Sequence, residues 1–218
     1  MITLYGIKSP YTIRVRAALI FKNLSFQHVS VNIDHKSETF KKLTLTETIP
    51  ILHDDDGTIV GDSLHIIDYL DQKYPLTYPM LGRNLQERVT ILSVIAAVDK
   101  IITFFHPLHT EREGRASLMR EHGLSHRALV YDVQQKVDCA KEVVYRLGKL
   151  QAVYSNKKFL TGQFSSADAA VLILVKNIWW KIPGEDISFW NTWMNDLLLD
   201  AKIAAMFPAE DERGVGEI

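Results

Sequence analysis

Three residue pairs in this 218-residue chain have the types and the settings to hold a charged ligand: Ser9–Pro10, Ile49–Pro50 and Asp62–Ser63. Ser followed by Pro reads as a helix N-cap with proline at the first helical position. A Ser9 hydroxyl there lies among unpaired N–H groups at the positive end of a helix dipole, where a thiolate is stabilised. Free thiols have a pKa of about 8.5, and lowering it by roughly two units takes about 2.7 kcal/mol. One hydroxyl hydrogen bond to a charged acceptor contributes ~1.5–3 kcal/mol, so Ser9 and a helix terminus suffice in magnitude. Ser9 as a plain cap is the competing reading, and both use one geometry.

The second pair lies in Thr48-Ile-Pro-Ile-Leu-His-Asp-Asp-Asp-Gly-Thr-Ile-Val-Gly-Asp-Ser, which reads as strand, acidic turn, strand and helix start. Pro50 is at the start of a strand, where its missing N–H is tolerated. A cis Ile49–Pro50 bond would leave the Ile49 N–H and carbonyl free to pair with an extended peptide. Asp62–Ser63 opens the next helix. Its hydroxyl and orphan N–H groups suit a carboxylate, and the Asp62 carboxylate suits an ammonium. A γ-glutamyl peptide carries both groups at one end. Against this, Pro at a strand edge and Asp/Ser at a helix start are also ordinary structural devices.

The elements that must position these pairs follow from periodicity. Ile2 to Tyr5 alternates as a strand ending at Gly6, and the helix after Ser9 buries Ile13, Ala17, Ile20 and Phe21. Ser25 to Val31 is a second strand, parallel to the first across the helical crossover. Asp34 to Leu45 is polar and weakly helical. Asp56–Gly57 marks a hairpin, and the helix from Ser63 to Tyr74 buries Ile66, Ile67, Leu70 and Tyr74 before Pro75. Residues 79–83, with Pro79 and Gly82, read as a linker. Residues 84–218 read as all-helical, which gives a first domain over 1–78 and a second from 84 onward.

In the second part, 11 of the 15 residues from Ile91 to Phe105 are apolar, more than one core-facing stripe needs, so this helix is expected to meet a second subunit or an apolar ligand as well. Phe105 and His109 near its end are candidates for an apolar cleft. His106 and His109 lack a carboxylate or cysteine partner for a metal. Thr110 to His122 reads as a polar connection. Leu124 to Tyr154 reads as a long helix with Leu129, Val133, Val137, Ala140, Val144 and Leu147 on one side. Ser165-x-x-Asp168 behind Phe164 has the form of a capping box with a hydrophobic staple, opening a helix apolar all round. Trp179, Trp180, Trp190 and Trp193 read mostly as core, and residues 210–218 as a loose acidic tail.

Composition narrows the classes. The formal net charge of −1, without a basic excess in either half, argues against nucleic-acid binding, and no apolar run is long enough for a bilayer. Cys139 is the only cysteine, which excludes an internal disulfide or a cysteine metal site and is compatible with a reducing cytoplasm. The start, Ile2-Thr-Leu-Tyr5, is strand-like and unlike a signal peptide.

Taken together, "TIPIL…GDSLHIIDYL" and "SPYTIRVRAAL" resemble the glutathione-binding half of cytosolic glutathione transferases. There a V/I-P-x-L strand with cis-proline is followed by [D/E]-S at the next helix. The Ser9 motif is similar to the serine-type members, tau-like and bacterial, where omega and glutaredoxin-like members carry Cys-Pro. The "F-S-x-A-D" box at Phe164 to Asp168 is a second resemblance, in the helical domain. The resemblance implies an α/β thioredoxin-like N-terminal domain plus an all-α C-terminal bundle. It implies glutathione as co-substrate, held by the Ile49 backbone beside Pro50 and by Asp62 and Ser63, with Lys36 as a candidate for the glycyl carboxylate. Ser9 would activate the thiol, with Tyr5 as rival because tyrosine-type members use a Tyr near this strand end. Tyr11 is a more distant third and, with Phe105 and His109, would border the pocket for a small apolar electrophile.

The family's usual state is a cytoplasmic homodimer without a metal, a membrane or a nucleic-acid partner. The chain departs from the pattern where the common N-P-x-G gives way to Thr44-Leu-Thr-Glu-Thr48. Two alternatives remain. One is a glutathione-dependent isomerase or dehalogenase, although the Ser-Ser-Cys-Ser-like motif of maleylacetoacetate isomerases is absent. The other is a non-enzymatic binding module, since the same fold serves in stringent-starvation and translation-factor proteins.

Overall fold

The computed structural model describes residues 1–32, 36–44, 46–105, 133–178 and 186–208. The N-terminal part runs β1 (Ile2–Gly6), α1 (Pro10–Phe21), β2 (Phe26–Ser30), α2 (Glu38–Lys42), β3 (Ile51–His53), β4 (Ile59–Gly61) and α3 (Ser63–Lys73). The strands form one mixed sheet in the order β2-β1-β3-β4, with β1 and β2 parallel and the other neighbours antiparallel. This is the thioredoxin-like arrangement. Helices follow: α4 (Leu85–Phe105), α5 (Val133–Tyr154), α6 (Ser166–Ile178), α7 (Ser188–Leu198) and α8 (Ala201–Ala205). Among the described residues no helix is long and apolar enough to cross a membrane.

Helix α1 departs from the expected stripe. Every residue from Thr12 to Leu19 is buried, Arg14 and Arg16 included, while Ile20 is only half-buried. The reason is that α1 packs against α3 of the N-terminal part and also against α6 and α8. Its cations are therefore met individually. Arg14 Nη2 donates to Asp99 Oδ1 at 2.6 Å, Arg16 Nε to the Met206 carbonyl at 3.3 Å, and Lys22 Nζ lies 2.7 Å from Asp71 Oδ1. One apolar core runs through both parts, from Leu4 and Leu52 to Ile95, Leu172 and Trp193.

Residues 79–83 are more tightly held than their composition suggests. Met80 and Leu81 are buried, and their N–H groups donate to the two Asp71 carboxylate oxygens at 3.1 and 2.8 Å. Gly82 has φ +95°, and a Cβ there would stand 2.7 Å from Glu87 Cβ and 2.9 Å from Arg88 N. Gly82→Ala should cost about 1–3 kcal/mol through strain and displacement of the α4 start. A urea midpoint equal to wild type would show that the turn relaxes freely.

Two stripe assignments change. Helix α5 buries Val143, Leu147, Leu150 and Tyr154, whereas Val137 is exposed; Leu129 lies outside the described residues. Most of the apolar residues of α4 turn to its own core: Ile91, Val94, Ile95, Val98 and Ile101 are buried, and Leu92, Ala97, Ile102 and Phe104 pack against them. Leu85 and Val89, one turn apart, are left exposed. Tyr74 is half-buried and caps α3. Trp190 and Trp193 are core residues, edge-to-face with each other and with Tyr154; Trp179 and Trp180 lie outside the described residues.

Candidate functional site

Sheet register brings the three pairs to one end of the sheet. Antiparallel pairing sets Tyr5 opposite Ile51, and Ile51 opposite Gly61. The C-terminal end of β1, the start of β3 and the end of β4 are thus neighbours. The residues just beyond those ends are Ser9, Ile49–Pro50 and Asp62–Ser63, and α1 and α3 both begin there with their positive dipole ends.

The Ile49–Pro50 bond is cis. Among the described residues no hydrogen bond uses the Ile49 N–H or carbonyl. Asp62 has φ +68° and ψ +133°, a conformation nearly reserved for glycine, and a non-glycine residue held there is a common mark of a functional site. Its Oδ1 caps α3 by accepting from Leu64 N at 2.9 Å and His65 N at 3.4 Å, which leaves Oδ2 available to an ammonium. Ser63, the first residue of α3, is buried.

Ser9 caps α1 as expected. Its Oγ accepts from Thr12 N at 3.2 Å and lies 3.0 Å from Thr12 Oγ1. Tyr11 is partly buried beside it, with the Arg14 guanidinium 5.4 Å from its ring centre. Burial raises the Tyr11 phenol above its ordinary range, and the charges of Asp99 and Asp62 add to the rise. That response puts Tyr11 within electrostatic reach of Asp62 at the α3 start and of Asp99 on α4. Tyr5 has a different place: it packs with Val31, Phe40 and Ile51 on the α2 face of the sheet. Lys36 is engaged loosely with Glu47 at 3.9 Å, with no contact to the Ser9, Pro50 and Asp62 group among the described residues. The side chain of Phe105, and His109 with its whole loop, lie outside the described residues.

Sequence reasoning missed Thr12 and the Arg14–Asp99 pair. Thr12 had a readable signal, its position three residues after an N-cap. Asp99 had none, because 85 residues separate it from Arg14.

Residues 4–79 match the family described as glutathione S-transferase, N-terminal domain. Over those residues the chain carries a glutathione S-transferase N-terminal domain. Glutathione S-transferase Z1 of Arabidopsis thaliana is 39% identical over 88 residues, 39% of either chain. A maleylacetoacetate isomerase of Pseudomonas aeruginosa is 33% identical over 112 residues, 49% of this chain and 50% of that one. The chain thus spans about two-fifths to one half of the length of these curated relatives. A rice glutathione transferase, solved in complex with glutathione, has the same fold over 97% of this chain and 92% of its own, with a TM-score of 0.78 and 18% identity.

Proposed function

We propose that this chain is a glutathione transferase that binds glutathione where α1, α3 and Pro50 meet, and that Ser9 holds its thiol as the thiolate for attack on an apolar electrophile. The γ-glutamyl end would set its carboxylate on Ser63 and the α3 N–H groups and its ammonium on Asp62 Oδ2. Its backbone would pair with Ile49, and Lys36 is the candidate for the glycyl carboxylate. Tyr11, Phe105 and His109 would border the second-substrate pocket. The observation that carries this reading is the convergence of two helix N-termini, one capped by Ser9 and one by a strained Asp62, beside an Ile49 backbone that has no hydrogen-bond partner among the described residues. The protein would do little covalent chemistry itself, acting by positioning and by a preorganised field. The exposed Leu85 and Val89 on α4 support a homodimer. A cytoplasmic setting fits a reaction that needs reduced thiol.

The isomerase relatives support a second reading, a glutathione-dependent isomerisation. The residues from Ser9 onward are Ser-Pro-Tyr-Thr, unlike the Ser-Ser-Cys-Ser-like motif.

Titration of the protein with glutathione across pH, following thiolate absorbance, tests the proposal. A bound thiol with a pKa roughly one to two units below the free value of about 8.5 is expected. Conversion of an electrophile with loss of glutathione would then mark a transferase, and conversion without loss an isomerase. Absence of glutathione binding would overturn both in favour of a binding module.

A further inference from the structure

We propose that Thr12 is a positioning residue that directs the Ser9 proton toward the ligand. This rests on the glutathione reading of the site. Thr12 is 1% exposed, and its hydroxyl has one hydrogen-bond partner among the described residues, Ser9 Oγ at 3.0 Å. One proton lies between the two oxygens, so two arrangements compete. In one, Ser9 donates to Thr12, and the Thr12 proton is left in a buried site without an acceptor, at the cost of an unmade hydrogen bond. In the other, Thr12 donates to Ser9. Both acceptor sites of Ser9 Oγ are then filled, by the Thr12 O–H and by the Thr12 N–H at 3.2 Å. The Ser9 proton is left for whatever lies outside the helix end. The second arrangement satisfies the buried group and leaves one outward donor, which a thiolate would accept.

Other hydroxyls in the chain support this accounting. Thr90, Ser93 and Thr103 each donate back to the carbonyl four residues earlier, at 2.9, 2.8 and 3.1 Å. Thr12 lies in the first turn of α1, where the residue four places earlier precedes the N-cap and offers no helical carbonyl, so among the described residues its proton has Ser9 as its destination. The site also makes room for this rotamer: a Cβ at position 6 would meet Thr12 Oγ1 at 2.6 Å and Cγ2 at 2.7 Å, so Gly6 leaves the space that the side chain fills. Donation from Thr12 also polarises Ser9, since hydrogen bonds in a chain strengthen one another.

The test uses wild type, Thr12→Val, Thr12→Ser and Ser9→Ala, each titrated with glutathione for affinity and for the bound thiol's pKa. Thr12→Val keeps the shape and the backbone N–H but removes the donor. It should raise the bound thiol's pKa by roughly half to one unit, a several-fold loss of thiolate below the pKa, with the dissociation constant within about twofold of wild type at acid pH, where the bound thiol is protonated in both proteins. Thr12→Ser restores the hydroxyl and should restore the pKa, an outcome a packing role does not predict. A wild-type pKa in Thr12→Val overturns the inference while leaving the Ser9 reading standing. A Thr12→Ser pKa as high as that of Ser9→Ala overturns it as well, and remains readable even if Thr12→Val fails to fold. If Ser9→Ala itself leaves the pKa unchanged, thiol activation by Ser9 fails and the inference falls with it.

Discussion

Ser9→Ala should bind glutathione and lose most of the turnover at acid and neutral pH. In the proposed site Ser9 contributes a hydrogen bond to a charged sulfur, worth ~1.5–3 kcal/mol, while the dipoles of α1 and α3 remain. Removing it returns the bound thiol by roughly one to two units toward 8.5. If the wild-type thiol titrates near 6.5, half is thiolate at that pH, against about one part in a hundred at 8.5, a roughly 50-fold smaller pool. A more basic thiolate is also more nucleophilic, with a Brønsted slope of about 0.4–0.5 in thiol exchange, which takes back several-fold of the loss. The expected deficit is therefore roughly five- to eightfold at pH 6.5, and it should close by about pH 8, where the greater nucleophilicity of the more basic thiolate makes up for its smaller pool. Steady-state rates with a generic aromatic electrophile, measured from pH 6 to 9, read this directly. A deficit that stays constant with pH would mean that Ser9 acts on something other than thiol ionisation. No deficit at any pH would return Tyr5 to consideration.

The parts of this site that were legible in the sequence are the ones set by local backbone chemistry. Ser9–Pro10, Pro50 and Asp62–Ser63 each carry a short-range rule about caps, missing donors or turns, and each rule holds over four residues or fewer. The acidic hairpin was legible for the same reason, since Gly57 supplies φ +86° between β3 and β4. What stayed hidden was set by tertiary contact. The burial of α1 on both sides placed two arginines and a lysine in the interior, and no stripe of apolar residues announces a helix whose buried cations are met by Asp99, Met206 and Asp71. The same holds for Met80 and Leu81: a Pro- and Gly-bearing stretch looks like a loose linker until the Asp71 carboxylate that collects its N–H groups is seen. Lys36 was chosen by charge alone, and charge alone does not place a side chain.

The box at Ser165 to Asp168 is legible as a local motif, but its weight comes from burial. Asp168 is fully buried and accepts from Ser165 N at 2.8 Å, Ser165 Oγ at 2.6 Å and Leu160 N at 2.9 Å. Phe164 beside it stacks on Phe21 of α1 at 4.5 Å, so the same turn joins α6 to the N-terminal part. An ordinary cap is worth about 0.5–2 kcal/mol. Asp168→Ala leaves three buried donors unpaired, each costing about 1–3 kcal/mol, offset in part because a buried charge is also removed. The net loss at pH 7.5 should be about 2–4 kcal/mol.

The pH dependence of that loss has an unusual sign. Burial pushes the Asp168 carboxyl up to about 6 against the ordinary value of 3.8, despite the donors that favour its charge. Between those two values the folded chain holds a proton that the unfolded chain releases, so this group's contribution to stability is largest below the unfolded value and falls as pH rises through about 6. Asp54, Asp68 and Glu87, which Lys73, Arg88 and Arg83 hold below the ordinary range, act in the opposite direction, but wild type and Asp168→Ala share them. They cancel in the difference. The stability gap between the two proteins, measured by urea denaturation at matched protein concentration, should therefore widen from pH 7.5 to pH 4.5 by on the order of 2 kcal/mol. A gap that narrows on acidification would mean that Asp168 is charged throughout and that its three donors outweigh its burial.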